Sequence, residues 1–431
     1  MGYVIESVAL ILLFLMIVVP FEFQQFKLLL VMVIIFNVVL IAFLIDSGVA
    51  SSKVVIWFLF VVSIGALFVL WGFLNGYSDS LKVMPVFVIW PIVYFFIMIA
   101  VRHPFSVHRV SYLLIASSIF ISLYSIGYLL TVFSYIPDIA LFGIIKSANY
   151  SIDSGFINYG IPAVTSMLYL MPFSLSAFLI WCKTDNFPIK RYWVGVSLLL
   201  GMIPLIFSGT RVFWILLFAS PIITYILLLV VNCSNIRLKA YRRNCYDLFK
   251  YSAYFAALMA VMFYDVISDF FEFASGSEVF IDALLFSDKG TSVRVEQMKY
   301  LLDGWTNAPL FGEGHGASLA TYRRTGNNEW AYEQTFFALL YQTGLIGVIS
   351  YLFAILWIVF NIIKLSRLSE RNLFFLVPIT VGMLCFLIAN LTNPYIYAFD
   401  HLWTIFLPVI LINIYILEKL PICKDNNFTG Y

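Results

Sequence analysis

Apolar residues in this chain come in long blocks, and the polar ones gather at the joints between them. "VALILLFLMIVV", "LLLVMVIIFNVVLIAFL" and "VVIWFLFVVSIGALFVLWGFL" fill most of the first 74 positions, and comparable blocks recur to the far end. A run of about 20 apolar residues crosses the hydrocarbon core of a bilayer as one helix. Twelve spans are predicted, near 4–20, 27–45, 54–73, 84–101, 110–134, 161–181, 192–208, 211–231, 251–268, 334–363, 372–389 and 402–418. The tenth is too long for one straight crossing and contains Gly344 and Gly347. It is therefore expected to be broken, tilted or partly outside the lipid.

Two joints stand out by length. Residues 269–333 make a segment of about 65 residues, and loops that long are usually functional or disordered. "DFFEF", "LLDGW" and "NAPLF" within it argue against disorder, because such content can bury apolar surface. The next longest joint is 135–160. No clean internal repeat of the transporter kind is visible.

Composition agrees with the pattern. The chain has 431 residues, of which 62% are hydrophobic and 11% charged. Ordinary globular chains are about 45–50% apolar and about 25% charged. The reading is one integral membrane domain over 1–431 and no string of soluble domains. A net charge of +2 without a Lys/Arg block gives no reason to expect nucleic acid. The apolar N-terminus lacks a charged leader and a small-residue cleavage site, and reads as a retained first helix.

Charge also orients the spans, since cytoplasmic joints are rich in Lys and Arg. With the N-terminus inside, the inner joints hold Arg102, Arg109, Lys183, Lys190, Arg191, Arg237, Lys239, Arg242, Arg243, Lys364, Arg367 and Arg371, among others. The short outer joints hold Lys27, Lys82, Lys146 and Arg211. Both long joints then face outward. No cysteine falls on that side, so no disulfide framework is expected.

Four outward stretches could carry chemistry. In "FSGTRVFW", Arg211 opens the eighth span. A cation at a helix N-terminus is disfavoured by about 0.3–1 kcal/mol, which an anionic ligand would relieve, and Ser208 and Thr210 add hydroxyl donors. The bland alternative is an arginine snorkelling to headgroups. In "TSVRVEQMKYLLDGW", a helical reading lines up Val295, Met298, Leu301, Leu302 and Trp305, with Arg294 inside that apolar stripe. An inward arginine wants an anion, either a ligand or a structural partner such as Asp265 or Asp269. In "PLFGEGHGA", Gly312, Gly314 and Gly316 would let backbone N–H groups approach a ligand, while Glu313 and His315 could move protons. It also reads as a plain glycine-rich turn, and its GxGxG spacing is no dinucleotide fingerprint. In "NNEWAYEQTFFALLYQTGLIG", Glu329 and Glu333 would share a helical face. Glu333, at the mouth of the tenth span, suits a general base, or else a favourable acid in a first turn. No Cys/His cluster with metal spacing, no Walker motif and no GxSxG is present.

The order of these pieces resembles the O-antigen polymerase and O-antigen ligase superfamily: "SGTR" at a helix start, then a long outer loop bearing Arg294 and "PLFGEGHG", then an acidic residue leading "EQTFFALLYQTGLIG". The likeness covers roughly 207–347 and is nearest to a Wzy-type polymerase of surface polysaccharide. The resemblance implies an all-α polytopic membrane protein of the GT-C-like glycosyltransferase class, in the bacterial inner membrane with both termini cytoplasmic. It implies undecaprenyl-pyrophosphate-linked glycans as donor and acceptor, with no cofactor and no metal. Arg211 and Arg294 would match the family's pyrophosphate-holding arginines, an assignment suited to the guanidinium fork. Glu333, His315 or Glu313 would be the base. Ligases of the superfamily usually carry His-Asn or His-Ser where this chain has Glu333-Gln334, which favours a polymerase. A chain-length regulator and a flippase would be its pathway partners. The alternatives are an O-antigen ligase acting on lipid A core and, from another class, a lipid-linked oligosaccharide flippase.

Overall fold

The computed structural model describes residues 2–44, 50–132, 149–153, 156–181, 189–207, 211–262, 289–319 and 329–418, together with Tyr135 and Pro137. Its elements are α1 (Gly2–Val18), α2 (Gln24–Leu44), α3 (Ser52–Leu74), α4 (Ser80–Met84), α5 (Trp90–Ala100), α6 (Ser106–Val132), α7 (Met167–Ile180), α8 (Arg191–Phe207), α9 (Arg211–Val231), α10 (Asn235–Met262), α11 (Lys289–Asn307), α12 (Thr335–Ser366), α13 (Glu370–Ala389) and α14 (Trp403–Leu417). A π-helical turn, Pro85–Ile89, joins α4 to α5. The strands among the described residues form a hairpin in the second long joint. There Asn149–Asp153 pairs antiparallel with Phe156–Gly160.

Among the described residues, eight helical stretches are long and apolar enough to cross a membrane: 52–74, 80–100, 106–131, 162–180, 212–231, 335–366, 370–389 and 399–417. Shorter apolar helices cover Tyr3–Val18, Gln24–Leu40 and Arg191–Leu205. The ninth predicted span differs most from its expected bounds. Its helix begins at Asn235, well before 251, because "NIRLKAYRRNCYDLF" continues the same helix as a polar first half.

Three helices form the centre: α7, α13 and α14 are buried on nearly every side. A helix apolar all round must be enclosed by protein or by lipid. The outer helices show the second case. Phe218 on α9, Phe360 on α12 and Leu59 on α3 are each more than 60% exposed, and similar side chains surround them. Patches of that kind are not tolerated against water, so lipid is their solvent. Hydroxyls knit the interior. Ser197 donates to Ser118 at 2.8 Å and lies 3.3 Å from Ser174, and Thr224 donates to Ser176 at 2.9 Å, all fully buried. Small hydroxyl residues let membrane helices approach closely while keeping their polar atoms paired.

One buried ion pair was not foreseen. Lys27, read from the sequence as a joint residue, is sealed with Asp400 at 2.7 Å, both side chains at 0% exposure. Its Nζ also donates to Val19 O at 2.8 Å, while Asp400 Oδ2 accepts from Phe21 N–H and Gln24 Nε2–H. A bare charge here would be costly, but each member of the pair has further hydrogen bonds besides the one they share. It ties the α1–α2 turn to the segment 390–402 that enters α14.

Candidate functional site

The site is built on the break in α12. Gly344 stands at φ +59, ψ −168, which interrupts the helical hydrogen-bond ladder. The freed groups are taken up by Pro309–Gly314. Leu345 and Ile346 N–H donate to the carbonyls of Pro309 and Leu310, at 3.0 and 3.1 Å. Glu313 and Gly314 N–H donate in turn to the carbonyls of Tyr341 and Gln342, at 3.1 and 2.6 Å. Unpaired backbone groups are expensive inside a membrane protein, so a broken helix and an irregular loop complete each other. The expected break therefore falls at Gly344. The second limb, about 22 residues at 1.5 Å each, is still long enough to cross a bilayer.

This geometry corrects the reading of Gly312, Gly314 and Gly316. Their φ values are +62, +98 and +86. What they approach is protein backbone, not open space for a ligand. A Cβ on Gly314 would overlap Gly72 Cα and N, and one on Gly316 would lie 2.5 Å from Ser80 N. A Cβ on Gly312 would lie 2.5 Å from Gln342 C. The N–H groups of residues 312–315 all donate to protein carbonyls, so they form no anion nest. Trp71 Nε1–H and Asn75 Nδ2–H clasp the Gly312 and Glu313 carbonyls from α3 and its end. The stretch is a staple between α3, α4 and α12, whereas a hinge would need free backbone.

His315 lies inside this staple, fully buried. Its ring stacks on Phe87 at 3.6 Å and 12°, presented by the π turn. Nε2 lies 2.9 Å from Tyr351 Oη and Nδ1 3.4 Å from Gln342 Oε1. Burial pushes its pKa down to about 3, against a small opposing effect of Gln342. The imidazole is neutral at pH 7, and in this structure solvent does not reach it. Glu313 is half-buried and accepts from Tyr77 Oη–H at 3.4 Å.

Arg294 and Glu333 are brought together. Arg294 Nε–H donates to Glu333 Oε2 at 2.9 Å, with about a third of each side chain exposed. The helix α11 lies against the mouth of α12 in parallel register. Gln297 Oε1 accepts from Gln334 N–H at 3.0 Å, and seven residues further on Gly304 rests against the Tyr341 ring. The buried line of α11 thus runs through Arg294, Gln297, Leu301 and Gly304, and the expected stripe member Val295 is 42% exposed. Glu329 and Glu333 do not share a helical face either: α12 begins at Thr335, and both acids precede it.

The segment 390–398 closes the other side. Thr335 Oγ1–H donates to Asn393 O at 3.2 Å. Tyr395 follows, its pKa raised to about 12 by burial first, with Arg294 lowering it and Glu333 raising it. Tyr395 was missed in the sequence, where nothing distinguishes it among 26 tyrosines. Ser208 and Thr210 lie outside the described residues, and Arg211 is the first residue of α9.

Two cavities adjoin these groups. An apolar groove of about 540 Å³ lies in the angle of the broken helix, against Phe336 and Leu339 of one limb and Val348 and Leu352 of the other. It reaches Thr335, two residues from Glu333. A polar pocket of about 450 Å³ lies between the turn 76–79, Lys82, the loop residues Gly316 and Ser318, and Glu329. Among the described residues no group of three His, Cys, Asp or Glu could hold a metal ion. No protein-family model matches the chain, and no curated protein matches it.

Proposed function

We propose that this protein is a membrane glycosyltransferase that joins undecaprenyl-pyrophosphate-linked repeat units into O-antigen or capsule-type polysaccharide at the periplasmic face of the bacterial inner membrane. The observation that carries the reading is the Arg294–Glu333 pair at the head of an apolar groove, a cation and a carboxylate where a lipid's headgroup would sit. On this reading α1, α2, α8 and α10 join the eight long helices as further crossings. That gives twelve crossings in a GT-C-like arrangement, with both termini cytoplasmic.

The groove would hold part of a polyprenyl chain through van der Waals packing, since a chain already in the bilayer is not removed from water on entering it. Its pyrophosphate would draw Arg294 away from Glu333. A pair this exposed is worth about 0–1 kcal/mol, so opening it is cheap. The released carboxylate of Glu333 then takes the proton from an acceptor-sugar hydroxyl. That oxygen, on a second lipid-linked unit, forms its bond to the anomeric carbon of the glycan whose lipid lies in the groove. The bond from the anomeric carbon to the pyrophosphate oxygen breaks, and the pyrophosphate leaves with the electron pair. Charge develops on that leaving group, where fixed arginines lower the barrier most. Arg211 would be the second such cation.

Two features weigh against the alternatives. A ligase would look to His315 as its base, and His315 is sealed under Phe87 and Tyr351. A flippase would line its cavity with charge, and the groove has apolar walls, while Lys27 and Asp400 neutralise each other. Cells carrying Arg294→Ala or Glu333→Gln in place of the wild-type gene should display single repeat units without polymer on a lipopolysaccharide gel. Full-length polymer from either variant would sink the mechanism, and bare core from a gene deletion would point to the ligase.

A further inference from the structure

We infer that the polar pocket beside the glycine staple is the glycan subsite, binding the sugar portion of a lipid-linked substrate; the inference rests on the proposed function. The argument starts from order along the chain. Glu329 lines the polar pocket, Glu333 meets Arg294, and Thr335 and Phe336 line the apolar groove. These positions span at most about 25 Å even in a fully extended chain, so one ligand molecule can reach all three. The order is polar, ionic, apolar. A polyprenyl-pyrophosphate glycan has its parts in the same order: sugar, pyrophosphate, lipid.

The chemistry of the pocket selects the sugar. It carries Asp79, Glu329, Lys82, Tyr77, Ser78 and Ser318. Asp79 and Lys82 pair at 2.7 Å, and Glu329 adds a second carboxylate to the described lining. Side chains of this kind offer hydrogen bonds and little apolar wall to a lipid tail. Carboxylates accept several hydroxyl hydrogen bonds at once, and charge-assisted bonds are the stronger kind, so a polyhydroxylated ligand is the match. The volume falls in the ordinary range for small-ligand sites. Gly314 and Gly316 explain why the pocket sits here. By pressing on Gly72 and Ser80, they hold Ser318 beside the turn that carries Tyr77 and Asp79. The GxGxG spacing thus serves sugar recognition through the shape of the protein, with no glycine N–H on the ligand.

The test measures binding of two probes to the full-length protein in nanodiscs: undecaprenyl pyrophosphate alone, and the lipid-linked glycan pool extracted from cells lacking the gene. Wild type should hold the glycan-bearing lipid about tenfold more tightly or better. The double variant D79N/E329Q should bring the two affinities within about threefold while keeping that for bare undecaprenyl pyrophosphate, which also reports that the variant is folded. Ser318→Ala should reduce the preference in the same direction. Arg294→Ala should weaken both lipids together. If D79N/E329Q keeps the wild-type preference, the pocket is a hydrated dent and the inference fails, while the proposed function stands. If wild type binds neither lipid, the proposed function fails and takes the subsite with it.

Discussion

Substituting Gly314 by alanine separates two costs that usually arrive together. Gly314 and Gly76 both sit in the left-handed region, at φ +98 and +89. For an L-residue this conformation costs about 1–2 kcal/mol. Around Gly76 nothing lies within 4 Å of an added Cβ, so Gly76→Ala should show that conformational cost alone. At Gly314 the new Cβ would overlap Gly72 Cα and N, which belong to helix backbone and cannot rotate away. Overpacking of a well-packed interior adds about 1–3 kcal/mol. Gly314→Ala should therefore cost about 2–5 kcal/mol, against about 1–2 for Gly76→Ala. That is a large share of the 5–15 kcal/mol by which proteins are commonly stable. The assay is the heating midpoint of detergent-solubilised protein, read as the monodisperse peak on size exclusion, together with its yield in membranes. If Gly314→Ala melts no earlier than Gly76→Ala, the staple is not tight and the account of the glycine motif is wrong.

Other perturbations test the remaining parts. Lys27→Met should cost about 3–5 kcal/mol by leaving Asp400 buried without its cation. Lys27→Met with Asp400→Leu should recover most of that in the same melting assay. Arg294→Ala should abolish polymer yet shift the melting midpoint little, since a pair one-third exposed contributes about 0–1 kcal/mol; equal loss of both would make the pair structural. His315, whose pKa falls to about 3 on folding, binds fewer protons folded than unfolded between that value and about 6.5. Its contribution is complete above about pH 6.5 and is lost as pH falls below that, at roughly 1–1.5 kcal/mol per pH unit. Chemical-denaturation curves at pH 7.5 and pH 5 should show this slope in wild type, and a reduced one in His315→Gln.

The membrane class was written in the sequence, because a bilayer imposes one rule on every span: enough apolar residues in a row to cross it. That rule acts locally, so blocks such as 54–73 and 372–389 could be placed to within a few residues. The broken tenth span was also legible, since Gly344 and an excess length are both properties of the chain. Tertiary structure decided what touches what. "PLFGEGHGA" suggests a ligand loop when read alone, because a glycine's reason for being small is its neighbour, and the neighbours here are Gly72, Ser80 and Gly344, hundreds of positions away in two cases. Lys27 looked like an ordinary loop cation until Asp400, 373 residues on, was folded against it. Arg294 was read as wanting an anion, and the parallel register of α11 on α12 brings Glu333 to it; Asp265 and Asp269 lie outside the described residues. Hydropathy is a sum over neighbours in sequence, and it determines where the chain lies in the membrane. Pairing of charges, closure of a helix break and the shape of a pocket are set by neighbours in space, and only the packed bundle supplies those.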